Sequence, residues 1–253
     1  MIPKIIHYCW FGKGEMPELV QTCIASWHTH MPDWEYRLWT EASLSLSLSP
    51  LKGGEDCWLD YMPRYVQEAY TAKKYAFVSD YVRLWALERE GGLYMDVDFE
   101  VYKSFDDLMD KYSAFAGYEG SKKNPVMMGV LAAEAHHPWI QGMMVTYERR
   151  KFVNEDGSLD MTPNTGYFYE WMTKQGFVAD GVEKDWNGVY ILPVECFCPG
   201  LTTGENLRCE RTYCEHKGLH SWSGDGGWKA KVLQCVSPQM KANLIKLKRK
   251  ILG

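Results

Sequence analysis

The first forty residues switch between two periodicities, and that switching limits the fold more than any other feature. Lys4–Trp10 (KIIHYCW) is a short, nearly continuous apolar run and reads as a buried strand. Pro17–His30 places Leu19, Cys23, Ile24 and Trp27 on one side, with Pro17 suited to a helix start. Glu35–Thr40 (EYRLWT) alternates as a second strand. Strand, helix and strand within ~40 residues make a βαβ unit, which implies a parallel sheet.

The alternation continues down the chain. Residues 65–74 and 77–89 read as helices, the second with Phe77, Tyr81, Leu84, Trp85 and Glu88 at helical spacing. Gly91-Gly92 stops that helix, and Leu93–Asp98 reads as a strand. Strands at 114–118, 126–131 and 189–192 and helices at 138–150 and 166–174 follow. Ser43–Ser49 (SLSLSLS) has period two and fits either an edge strand or a loose loop. Gly200–Gly227 reads as irregular. No internal repeat or linker interrupts the pattern. The expectation is one α/β domain over residues 1–237, followed by a basic amphipathic helix over 238–253.

Charge and composition exclude several classes. The 253 residues are 46% hydrophobic and 24% charged, which excludes a disordered chain, a collagen-like fibre and a coiled coil. A net charge of −5 argues against nucleic-acid binding. No apolar run approaches the ~20 residues that span a bilayer, and Lys4 and His7 interrupt what would be a signal peptide. The expected location is cytoplasmic. The terminal segment holds Lys241, Lys246, Lys248, Arg249 and Lys250 with no acid, which suits peripheral contact with an anionic inner membrane face or a solvated helix packed on the domain. Of the eight cysteines, Cys196, Cys198, Cys209 and Cys214 cluster, but their spacing matches no common zinc pattern. They read as reduced structural thiols, and His7, His136 and His137 read as structural.

The chemistry concentrates around Asp96 and Asp98. In a strand, residues i and i+2 face one side with Cα atoms about 6.6 Å apart, so the two carboxylates point into one space. Their repulsion is relieved by a hard divalent cation, and oxygen ligands select Mg²⁺ or Mn²⁺. The plainer alternative is that both aspartates only solubilise a strand end. One helix earlier, Asp80 and Arg83 share a face at i,i+3. They are either a surface ion pair or a partly buried fork that grips phosphate or sugar hydroxyls.

Ala76–Asp98 (AFVSDYVRLWALEREGGLYMDVD) resembles the signature of glycosyltransferase family 32, the D-x-D sugar-binding-region enzymes, which include a yeast initiating mannosyltransferase and bacterial capsule enzymes. IPKIIHYCWFG at the N-terminus, Ser26-Trp27 with Pro32–Trp39, and Ser104–Leu108 are similar to further stretches of that family. Residues 43–63 depart from it. The resemblance implies a GT-A-like single domain, with a mostly parallel central sheet flanked by helices, and a nucleoside-diphosphate-sugar donor. Uridine is favoured from bacterial members. It also implies that Tyr8 and Trp10 contribute to the donor site, with Trp10 stacked on the base. Asp80, Arg83 and Asp96 would contact the donor sugar and act catalytically. Asp98, with Asp96, would hold Mn²⁺ or Mg²⁺. In the family's C-terminal pattern, His220 would complete the metal shell or touch the diphosphate, and Trp222 or Trp228 would cap the sugar.

The expected reaction is metal-dependent, retaining transfer of a sugar to a glycan or lipid-linked acceptor. Two rivals use the same residues differently. A metal-dependent phosphodiesterase or nucleotidyltransferase would release a nucleoside monophosphate. A non-catalytic glycan-binding module would need neither metal nor nucleotide.

Overall fold

The structure, a computed structural model, describes residues 1–48, 57–120, 126–200 and 206–218. The strands are β1 (Ile5–Cys9), β2 (Glu35–Trp39), β3 (Gly92–Met95), β4 (Phe99–Val101), β5 (Ala114–Tyr118), β6 (Val126–Ala133), β7 (Lys184–Trp186), β8 (Val189–Leu192) and β9 (Cys214–His216). The α-helices are α1 (Glu18–His30), α2 (Glu41–Leu48), α3 (Arg64–Thr71), α4 (Tyr75–Glu90), α5 (Asp106–Lys111), α6 (Pro138–Val145), α7 (Asn164–Lys174) and α8 (Val194–Phe197).

Seven strands form one sheet in the order β2-β1-β3-β6-β5-β8-β7. Its β2-β1-β3 side is parallel, as the βαβ reading requires. β5 and β8 are also parallel, whereas β6 runs against both β3 and β5, and β7 against β8. The sheet is therefore mixed: helices lie between the parallel neighbours, short returns join β5 to β6 and β7 to β8, and β3 meets β6 only after β4, α5 and β5 have intervened. β4 and β9 form a separate two-stranded ribbon.

Side chains alternate across the sheet into two cores. Tyr94 enters one with α3, α4 and α6, while Leu93 and Met95 enter the other with Trp27 of α1 and Phe197 of α8. α4 is buried almost all round, including Asp80 and Arg83, because β1, β3, β6, α3 and α6 all pack on it. Its exit is a tight one. Gly91 and Gly92 have φ of +65° and +115°, and a Cβ on Gly92 would stand 2.7 Å from the Ile5 carbonyl oxygen.

Three sequence readings are corrected. Ser43–Ser49 is neither an edge strand nor a loose loop over its described part, because residues 41–48 are helical. The Thr40 amide donates to Ser43 Oγ at 2.8 Å and the Ser43 amide donates back to Thr40 Oγ1 at 3.2 Å, a reciprocal cap that starts the helix. Leu44 and Leu48, four apart, then face the core. The helix beginning at Pro138 ends at Val145 and does not reach Arg150, since the following amides make tight turns onto Met143, Met144 and Val145. The strand at Leu93 ends at Met95, short of Asp96 and Asp98. The predicted helix over 238–253 lies outside the described residues. No helix among the described residues is long and apolar enough to cross a membrane.

His7 ties the parallel strands together. It is fully buried, with Nε2 at 2.8 Å from the Gly91 carbonyl and Nδ1 accepting from Trp39 Nε1 at 3.1 Å. Burial pushes its pKa down to about 4 from an ordinary 6.5. Since the unfolded chain takes that proton more readily, the neutral ring contributes fully above pH 6.5, and its contribution is lost as pH falls toward 4. The difference corresponds to about 3 kcal/mol. Chemical denaturation between pH 7 and pH 4.5 should show a steep acid loss that flattens in His7→Gln.

Candidate active site

Two neighbouring parallel strands, β1 and β3, end at the same edge of the sheet and open a cleft there. β1 leads into Trp10 and Phe11, and β3 leads into Asp96. The cleft has a volume of about 610 Å³, within the range that holds a small ligand. α4 lines one side with Ser79, Asp80 and Arg83, and α7 presents Asn164 at another.

Asp96 and Asp98 reach this space through a turn and not through strand alternation. The Asp96 amide donates to the Gly129 carbonyl at 2.8 Å, and the Phe99 amide closes back onto the Asp96 carbonyl at 3.2 Å. Both carboxylates line the cleft. Gly129 leaves room for the first: a Cβ there would stand 2.9 Å from Asp96 Oδ2 and 2.8 Å from the Phe99 ring.

Arg83 lies at the centre and is only 5% exposed. Its guanidinium meets Asp80 at 2.8 Å and Asp96 at 3.4 Å, donates to the Met128 carbonyl, and lies over the Tyr94 ring at 4.6 Å. The surface-pair alternative for Asp80 and Arg83 is thereby excluded. Tyr94 donates its hydroxyl to Asp96 at 2.8 Å. Burial pushes the Asp80 carboxyl up to about 6 and raises Asp96 as well, with the Arg83 charge opposing both shifts.

Two further groups face the cleft without a signal in the sequence pattern. Glu119, at the end of β5, has its carboxyl raised by burial and by the charge of Asp96. His216 comes from β9, more than a hundred residues after the aspartates, and its Nε2 lies 3.0 Å from Asp98 Oδ2. Burial disfavours the imidazolium, but the bond and charge of Asp98 outweigh it, so the ring is more basic than usual. The sequence reading placed the metal-side histidine at His220, which lies outside the described residues with Trp222 and Trp228. The pairing of β4 with β9, which sets His216 opposite Phe99, is what brings this other histidine to Asp98.

The structure thus gathers Trp10, Asp80, Arg83, Asp96 and Asp98 around one cleft. Trp10 is half-buried, and its indole N–H donates to the Gly14 carbonyl at 2.6 Å. Tyr8 is not among the cleft-lining residues; its ring packs edge-on against Trp27 at 5.4 Å, on the other side of β1. His136 pairs with Glu88, and His137 accepts the Trp139 amide at the start of α6. Cys196, Cys198 and Cys214 are buried free thiols, and Cys209 is exposed.

Among the described residues, no three His, Cys, Asp or Glu side chains converge into a complete metal cage. A pair does fit a shared cation. Asp98 Oδ2 and His216 Nε2, 3.0 Å apart, share a hydrogen bond, and a cation would replace its proton between one oxygen and one nitrogen. One carboxylate oxygen and one imidazole nitrogen would suit Mn²⁺ better than Mg²⁺, which takes oxygen ligands.

Residues 17–115 match the family described as glycosyltransferase sugar-binding region containing DXD motif. Inositol phosphoceramide mannosyltransferase 3 of Schizosaccharomyces pombe is 31% identical over 78% of this chain and 51% of its own length. Inositol phosphoceramide mannosyltransferase 1 of the same yeast is 28% identical over 44% of this chain and 32% of its own. The chain spans about half or less of the curated relatives it matches. Among solved structures, the PaToxG glycosyltransferase is similar over 68% of this chain and 70% of its own, at 20% identity and a TM-score of 0.46. The galactosyltransferase LgtC is similar over 91% of this chain and 94% of its own, at 14% identity and a TM-score of 0.44.

Removing one partner of a buried ion pair strands the others. Arg83→Met should cost roughly 3–5 kcal/mol at neutral pH, measured by urea denaturation. The loss should shrink toward pH 4, where Asp80 and Asp96 can take up protons; a loss independent of pH would contradict the pairing. Over residues 17–115 the chain is similar to the family of glycosyltransferase sugar-binding regions containing the DXD motif.

Proposed function

We propose that this chain is a metal-dependent GT-A-type glycosyltransferase that moves a hexosyl group from a nucleoside-diphosphate sugar to a glycan or lipid-linked acceptor. The observation that carries the reading is the meeting of Asp98 and His216 at 3.0 Å beside the Arg83-centred carboxylates. The names of the yeast relatives put mannose first among candidate sugars. The nucleotide is uridine or guanosine diphosphate.

Each residue then has a task set by its surroundings. Trp10, tethered through its indole N–H, offers a ring face to the nucleobase. Asp98 and His216 would hold the cation, which would supply positive charge against the departing diphosphate. Arg83 stays cationic among its partners and fixes the directions of Asp80 and Asp96, whose remaining oxygen lone pairs are free to accept sugar hydroxyls. A prearranged site of this kind needs little rearrangement as charge develops on the leaving group. The reading includes retention at the anomeric carbon, with the acceptor attacking from the face the diphosphate leaves.

A screen of UDP- and GDP-sugars for hydrolysis with Mn²⁺ tests the proposal. At least one should release free sugar and nucleoside diphosphate, and Asp98→Ala should reduce that turnover by a factor of about a hundred or more. Release of nucleoside monophosphate would identify a phosphodiesterase instead. Sugar binding without any nucleotide or metal requirement would identify a glycan-binding module.

A further inference from the structure

His216 reaches Asp98 on a short strand whose inner face, through Cys214, packs in the core with Phe99 and Val101 of β4, while its outer face carries charge. β4 and β9 pair over only three residues each, and a two-stranded ribbon of that length is marginal alone. The register also sets two acids against each other, because Glu100 lies directly opposite Glu215. Like charges in that position push strands apart.

One side chain bridges the conflict. Lys217, the residue after His216, places Nζ 2.6 Å from Glu100 and 3.1 Å from Glu215. The same ammonium donates to the Tyr102 hydroxyl at 3.0 Å, and that hydroxyl lies 2.8 Å from a carboxylate oxygen of each glutamate. Arg208 adds a second cation 2.6 Å from Glu215, with its guanidinium 3.9 Å over the Tyr102 ring. Burial favours protonating both glutamates, yet their cationic and hydroxyl partners hold both carboxyls below the usual range. The backbone locks at the same point, where the Lys217 amide donates to the Asp98 carbonyl at 2.8 Å. The His216 ring lies flat on Phe99, with centroids 4.6 Å apart and planes 17° from parallel.

We propose that Lys217 is a positioning residue: by bridging Glu100 and Glu215 across β4 and β9, it seats the His216 ring on Phe99 and beside Asp98. The seating is a property of the chain itself. Only its consequence for cation binding rests on the transferase reading above.

The first measurement needs no metal. A ring stacked on Phe99 has its His216 carbon-bound protons displaced by ring current in the NMR spectrum. Lys217→Met should move those resonances to ordinary histidine positions while most other signals stay, and Lys217→Arg should keep them displaced. Adding Glu100→Gln to Lys217→Met removes the facing charge and should recover part of the displacement. Unmoved His216 resonances in Lys217→Met would overturn the proposal, and so would a double variant no better than the single one. The second measurement is Mn²⁺ affinity by calorimetry, expected to fall about tenfold or more in Lys217→Met. If the unaltered protein takes up no Mn²⁺, the transferase reading fails while the NMR result still decides the role of Lys217. If it binds Mn²⁺ and Lys217→Met binds equally well, the clasp has no hold on the cation site and the proposal is overturned.

Discussion

A guanidinium with almost no access to water is the interaction on which the site depends. Arg83 would be costly to bury alone, and it is tolerated because Asp80, Asp96, the Met128 carbonyl and the Tyr94 ring share its charge and donors. These partners come from α4, β3, the turn after it, and β6. The ion cluster therefore fixes how the central helix sits against the sheet. The local requirement at Gly129 follows from it, since any side chain there would meet Asp96.

The cluster also separates two classes of carboxylate within one cleft. Asp80 and Asp96 are committed to Arg83 and are held in place. Asp98, two residues on in the same turn, answers to His216. A nucleoside-diphosphate sugar presents a matching gradient: hydroxyls at one end, negative charge in the middle and an aromatic base at the other. Trp10 stands at the end of the neighbouring strand and lines the same cleft. The same cleft geometry would serve other reactions on diphosphates, and the match of residues 17–115 to a DXD glycosyltransferase family is what favours sugar transfer.

Much of this was legible in the sequence because short-range patterns carry it. The β1, α1 and β2 succession, the helical spacing of α4 and the glycine pair after it all read directly from residue periodicity. The convergence of Asp96 and Asp98 was also readable, although the period-two argument for it was not the operative one; a turn brings them together. What escaped were features made by distant pairing. β4 and β9 are three residues long and carry no periodicity of their own, so nothing local announces that His216 meets Asp98. Burial of Asp80 and Arg83 depends on three strands and two helices that only the assembled fold supplies. The Ser-Leu repeat misled for a related reason: its alternation suits a strand, while the Thr40–Ser43 cap and the core contacts of Leu44 and Leu48 make it helical.

The central claim is that this cleft binds a nucleoside diphosphate through a shared divalent cation. Calorimetric titration of the protein with UDP and with GDP, each with Mn²⁺ and with chelator, addresses it directly. The account predicts that one of the two nucleotides binds with Mn²⁺ and that binding weakens by about tenfold or more when the metal is removed. Equal binding in chelator, or no binding of either nucleotide with Mn²⁺ present, would contradict it.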